Sequence, residues 1–225
     1  GNLLGGEQSG QIEAVGFDMY MKLLEQTIKE MKGEEIEDEI RANVNLRVDL
    51  RIEDSYIPDM NQRLTVYRRM AAVRTDTELN RLMDEVRDRY GPPPDSVLNL
   101  AEYAAIRLMA DRIGIESIDR EAQLVVLKFR PEAKLDPAWL FKLVQERKDL
   151  LLTPPATLRL DLKQAAAHKR AGVQGRSWWT ARATAGEVTG GFTKDEILRP
   201  AKEDPRAEGG VFSRVSGLLR DLLKY

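Results

Sequence analysis

The residues that could carry chemistry are few, and their spacing excludes most of what they might do. His168 is the only histidine and cysteine is absent. One chain therefore cannot assemble a histidine metal cluster, a thiolate site or a Ser-His-Asp triad. His168 stands beside Lys169 and Arg170 in a polar stretch with no candidate partner and is expected at the surface. Gly1–Gly6 superficially suggests a phosphate loop. That motif requires Lys and then Ser or Thr after its last glycine, whereas Glu7 and Gln8 follow here, and an acid at that point repels phosphate. Asp54 with Asp59, and Asp84 with Glu85, are possible acid–base pairs. Helix caps and solvent-facing helix surfaces account for them better. Trp178–Trp179 could stack on bases or anchor a partner, and weak hydrophobic docking is the favoured reading. No catalytic residue and no metal ligand is assigned.

Composition narrows the class further. At 225 residues and 42% hydrophobic content, the chain can bury one core of about 100–150 residues plus appended segments. A net charge of −2 creates no global field toward DNA or an anionic membrane. Absence of cysteine fits a reducing compartment, so a cytoplasmic location is expected. No apolar run approaches the roughly 20 residues of a membrane span. Because the chain begins at Gly1 inside a glycine-punctuated segment, it is expected to be a piece of a longer protein.

The elements follow from periodicity. From Ile12 to Met31 apolar residues recur every three or four positions, the face of an amphipathic helix. The acidic run Glu34, Glu35, Glu37, Asp38 and Glu39 reads as a solvated linker. Val44, Leu46, Val48, Leu50 and Ile52 alternate with polar residues, which predicts a half-buried strand over 44–52. Asp59 with Gln62, and Thr75 with Glu78, have capping-box spacing and predict two helix starts. Their inward stripes are Leu64, Tyr67, Met70 and Ala71, then Leu79, Leu82, Met83, Val86 and Tyr90. Gly91 and Pro92–Pro94 end the second helix, Asp95 is expected to cap a third, and Gly114 closes it. Ile115–Ile118 and Leu124–Phe129 predict short strands around a turn at Asp119–Ala122. Asp136–Pro137 opens a further helix, and Thr157–Leu162 alternates as a last strand.

The resulting fold class is α+β: a helix-rich first half, then a small mixed sheet with a packed helix, then a largely irregular tail. The expected domains are 1–43 (motif end, amphipathic helix and linker), 44–163 (the folded unit) and 164–225. The tail holds eleven basic against seven acidic side chains. Residues 164–209 are expected to be mostly disordered, and Val211–Tyr225 is an amphipathic helix too short to persist alone, expected to dock.

Two stretches resemble a known family. Gly1, Leu3, Leu4, Gly5, Gln8, Ser9 and Gly10, with Val15-Gly16-Phe17-Asp18, Tyr20 and Leu23-Leu24-Glu25, resemble the end of the translocation motif shared by the transcription-repair coupling factors (Mfd) and the helicase RecG. The stretch Glu53–Leu64 with Tyr67-Arg68-Arg69, and Asp88–Pro94, resembles the signature of the Mfd C-terminal domain; its marked positions are Tyr56, Pro58, Asp59, Arg63, Tyr67 and Arg68.

The resemblance implies a noncatalytic regulatory domain. In that family it packs on the N-terminal UvrB-like module and masks the surface that recruits UvrA. ATP and magnesium belong to the parent translocase, which meets double-stranded DNA and stalled RNA polymerase; no cofactor is expected here and no membrane. Gln8, with Gly5 and Gly10, is the implied motor-coupling loop. The alternatives are an accessory DNA-binding or motor-coupling segment and a structural cap on the motor.

Overall fold

The computed structural model describes residues 41–164, 204–207 and 209–224. The expected helix at 12–31, the acidic linker and Trp178–Trp179 lie outside the described residues, as do Gln8, Gly5, Gly10 and His168.

Strand β1 (Asn43–Asn45) is followed by helices α1 (Met60–Ala72), α2 (Asp76–Tyr90) and α3 (Asp95–Ile113). Strands β2 (Ile115–Glu121) and β3 (Leu124–Phe129), helix α4 (Pro137–Glu146), strands β4 (Leu150–Thr153) and β5 (Thr157–Asp161), and helix α5 (Val211–Leu222) complete the order. The strands form one mixed sheet in the order β1-β2-β3-β5-β4, with β1 parallel to β2 and the other pairs antiparallel. This is the α+β architecture expected.

The pleat places one apolar row across the whole sheet: Val44, Ile118, Leu127, Leu158 and Leu152 are successive cross-strand partners. The first four are fully buried. Helix α3 is buried on nearly every side, because it contacts β1 and β2 on one side and α1, α2 and α5 on others. Such a helix has no polar face to display, which explains why its sequence carries little helical periodicity.

The local start signals act as read. Asp59 Oδ1 accepts from the Gln62 amide at 2.8 Å, Thr75 Oγ1 from Glu78 at 3.2 Å, and Asp136 Oδ1 from Ala138 at 2.9 Å. The end of α1 is held from afar. Arg41 donates to the carbonyls of Ala71 (2.6 Å) and Val73 (2.7 Å), and Arg107 to that of Met70 (2.9 Å). These cations satisfy carbonyls that the last turn leaves open. Gly114 closes α3 at φ +85°, where a Cβ would also sit 3.1 Å from Ala133.

Several expectations need correction. The strand over 44–52 pairs only across Asn43–Asn45. Arg47 turns at φ 52° and leads the chain off β2, although Leu46, Leu50 and Ile52 stay buried. Polar side chains replace the ladder: the Ile52 amide donates to Tyr67 Oη at 2.5 Å, and Asn99 Nδ2 to the Asp49 carbonyl at 3.1 Å. The alternation therefore reports burial, not strand pairing. Gln62 does not close a reciprocal box, since its Oε1 accepts from Tyr90 Oη at 2.9 Å. The residue preceding α3 is Pro94, and the Asp95 side chain makes no cap; it receives Arg206 Nη2 at 2.6 Å instead. Strand β2 runs to Glu121, so the expected turn at Asp119–Ala122 moves to Ala122 (φ 55°) and Gln123. Strand β4 is an additional element, antiparallel to β5.

The terminal helix docks, and on this same body. Val211, Phe212, Val215, Leu218, Leu219 and Leu222 join the one hydrophobic core, whereas Leu223 is 39% exposed. Gly210 precedes the helix in a turn too tight for a side chain: a Cβ there would collide with the carbonyls of Asp204 and Pro205.

Two α5 residues inside this face are charged. Arg214 Nη2 reaches Asp149 Oδ2 at 2.9 Å, and Asp221 Oδ2 receives Arg147 Nη1 at 3.3 Å. Arg147 and Asp149 pair at 2.5 and 3.0 Å, with the Asp149 side chain fully buried. Arg214 also donates to the backbone carbonyls of Asp161 (2.8 Å) and Leu162 (3.3 Å). The chain end thus closes over the end of β5.

Candidate docking surface

Helices α1 and α2 lie outside α3 and turn charged surfaces outward. Val66, Tyr67 and Met70 of α1, and Leu79, Leu82, Met83 and Val86 of α2, are buried. Arg68, Arg69, Arg81, Glu85, Asp88 and Arg89 are exposed. A shallow cleft of about 150 Å³ runs between the two helices, lined by Gln62, Thr65, Val66, Arg69, Glu85, Val86, Arg89 and Tyr90. Val66 and Val86 are its buried apolar residues, and the rest of its lining is polar or charged.

Across that rim Arg69 and Glu85 form a two-pronged ion pair, with both N–O distances 2.6 Å. Hydrogen bonding from Arg69 holds the Glu85 carboxyl below the usual carboxylate range, and the same bond raises the Arg69 guanidinium. The side chains remain 45% and 49% exposed, so solvent screens the pair and it contributes only about 0–1 kcal/mol to folding.

One end of the cleft is fixed by aromatic side chains. Tyr56 Oη donates to the Gly91 carbonyl at 2.8 Å, and Tyr90 Oη to Gln62 at 2.9 Å. The two rings meet edge to face at 6.1 Å. Burial pushes the Tyr56 hydroxyl up to about 12, so it stays protonated and remains a donor. Arg89 lies over the Tyr90 ring, 5.4 Å from its centre.

Most of the signature positions build this scaffold and do not form its surface. Asp59 caps α1. Arg63 Nη1 donates to the carbonyls of Ile57 (2.6 Å) and Pro58 (2.9 Å), fixing the entry to that helix. Tyr67 accepts the Ile52 amide beneath it. Pro58 and Arg68 are exposed. The structure adds Arg69, Glu85, Arg89 and Tyr90 as rim residues. Tyr90 was expected on the inward stripe of α2 and is half-buried; the Arg69–Glu85 contact spans 16 residues of sequence and has no local signal. The Arg147–Asp149–Arg214–Asp221 network was also missed. Its one sequence trace is an Arg and an Asp on the apolar face of α5.

Asp54 is exposed, and Asp84 lies 3.5 Å from Arg87 on its own helix. Among the described residues no group of His, Cys, Asp and Glu is arranged to hold a metal ion. Nor is any helix there long and apolar enough to cross a membrane.

The family model described as the TRCF domain matches residues 46–140. The transcription-repair-coupling factor of Escherichia coli (strain K12) is 38% identical over 152 residues, covering 65% of this chain. That of Haemophilus influenzae is 37% identical over 152 residues, and that of Myxococcus xanthus 34% over 168, covering 65% and 74% of this chain. The chain spans only 13–14% of the length of these relatives. A crystal structure of the C-terminal domain of a transcription-repair coupling factor superposes with a TM-score of 0.53 at 17% identity, covering 82% of this chain and 94% of that one. At that identity the likeness speaks for the fold. Residues 46–140 therefore carry a TRCF domain, and over that region and its flanks the chain is similar to the transcription-repair-coupling factors.

Proposed function

We propose that the described body is a noncatalytic regulatory domain that docks, through the α1–α2 face, on the N-terminal UvrB-like module of its own protein and masks the surface that recruits UvrA. The parent is read as an ATP-dependent DNA translocase that displaces stalled RNA polymerase in transcription-coupled repair in the cytoplasm. ATP and magnesium would be bound by its motor, and Gln8, Gly5 and Gly10 belong to the loop that couples motor to DNA. The observation that carries the docking is the solvent-exposed Arg69–Glu85 pair across a cleft that has Val66 and Val86 at its buried side. A mask must come off, and small polar interfaces with an apolar centre suit reversible contact. Release further requires that the face bind the closed state better than the open one.

The test adds the whole 225-residue chain in trans to the isolated N-terminal module and follows UvrA binding. The proposal expects UvrA binding to fall as the chain is titrated, and Glu85→Arg to abolish that effect. Unchanged UvrA binding at saturating chain would overturn it. Residues 44–163 alone are unsuited to this role, because α5 completes the core.

A further inference from the structure

The cleft rim contains one side chain that touches two other segments and its own neighbour on the helix. Tyr90 sits at the last position of α2, half-buried. Its hydroxyl donates to Gln62 on α1, its ring abuts Tyr56 from the preceding loop, and its face lies under the Arg89 guanidinium. The edge-to-face contact leaves a ring face for the cation, and the hydroxyl bond stops the ring from swinging.

Arg89 is an exposed arginine near a helix end, a side chain that ordinarily samples many rotamers. Freezing such a side chain on association costs roughly 0.5–1.5 kcal/mol, equivalent to about 2–12-fold in affinity. A guanidinium already stacked on a fixed ring has met that cost in the free protein. Arg89 also lies four residues from Glu85 on α2, so both charges stand on the cleft rim beside the ring that fixes its end.

Resting on the docking reading above, we infer that Tyr90 is the positioning residue of the α1–α2 face: its ring, fixed by Gln62 and Tyr56, holds Arg89 in its docked orientation. The partner group that Arg89 meets is then an acceptor, a carboxylate or a backbone carbonyl, presented at the rim by the N-terminal module.

A double-mutant cycle on the full chain tests this, with dissociation rate and affinity for the isolated module as readouts and thermal melting as the control for folding. Tyr90→Leu should raise the dissociation rate about 2–12-fold. Tyr90→Phe, which keeps the ring and loses only the Gln62 bond, should have the smaller effect. In an Arg89→Ala background the Tyr90→Leu effect should largely vanish, because there is no guanidinium left to hold. A purely structural tyrosine would give the same penalty in both backgrounds, and that additivity would overturn the inference. If Glu85→Arg also left binding unchanged, the docking face itself would be wrong. Additivity with a Glu85→Arg loss would discard only the role of Tyr90.

Discussion

Arg214→Met removes the guanidinium that joins α5 to the sheet while keeping a long side chain in its place. Arg214 is 7% exposed and Asp149 fully buried at a 2.9 Å separation. The substitution leaves Asp149 with Arg147 as its remaining cation and strips donors from the Asp161 and Leu162 carbonyls. Breaking a buried pair from one side costs about 3–5 kcal/mol. Retention of Arg147 places this case near the lower end, about 3 kcal/mol. For a body of this size that corresponds to roughly 6–12 °C in melting temperature. The comparison variant is Arg69→Met, the same chemical change at an exposed pair, expected to cost less than about 1 kcal/mol. Urea unfolding followed by circular dichroism gives both values. If the two variants shift the midpoint equally, the argument that burial decides the strength of these ion pairs is refuted, and α5 is not fastened by its charges.

Two further outcomes are expected. Burial acts to raise the Asp149 carboxyl, but hydrogen bonds and charge from Arg147 and Arg214 outweigh it and hold the group below its ordinary range. A depressed carboxylate contributes stability that is fully present above the ordinary value of about 4 and lost as pH falls through the folded one. Melting temperature should therefore decline below about pH 4, and Asp149→Asn should flatten that decline while lowering stability at neutral pH. Gly217 lies within α5 where an added Cβ meets nothing within 4 Å, so Gly217→Ala should stabilise by about 0.5–1 kcal/mol in the same urea assay.

What was legible in the sequence was what a short segment decides by itself. Asp59, Thr75 and Asp136 cap helices because each needs only an amide two or three residues away. Gly114 ends α3 because an αL position follows the last turn. Alternation at 44–52 identified buried positions correctly yet failed as a strand signal, since pairing depends on how far β2 extends beside it and on the turn at Arg47. Strand β4 has no alternation to detect: Leu150, Leu151 and Leu152 are all apolar although Leu151 is 58% exposed. The signature residues Tyr56, Arg63 and Tyr67 were found through resemblance and proved to be braces. The rim they support has no local signal, because Arg69 meets Glu85 through tertiary packing. The docking of α5 was equally non-local; its partners Arg147 and Asp149 lie more than sixty residues earlier.

Hydrogen exchange on the full chain, with and without the isolated N-terminal UvrB-like module, tests the central claim most directly. The account predicts slowed exchange in the α1 and α2 turns that carry Gln62–Arg69 and Glu85–Tyr90, lost in Glu85→Arg, with β4 and α4 unchanged. Protection confined to any other face, or none with the module in excess, would contradict it.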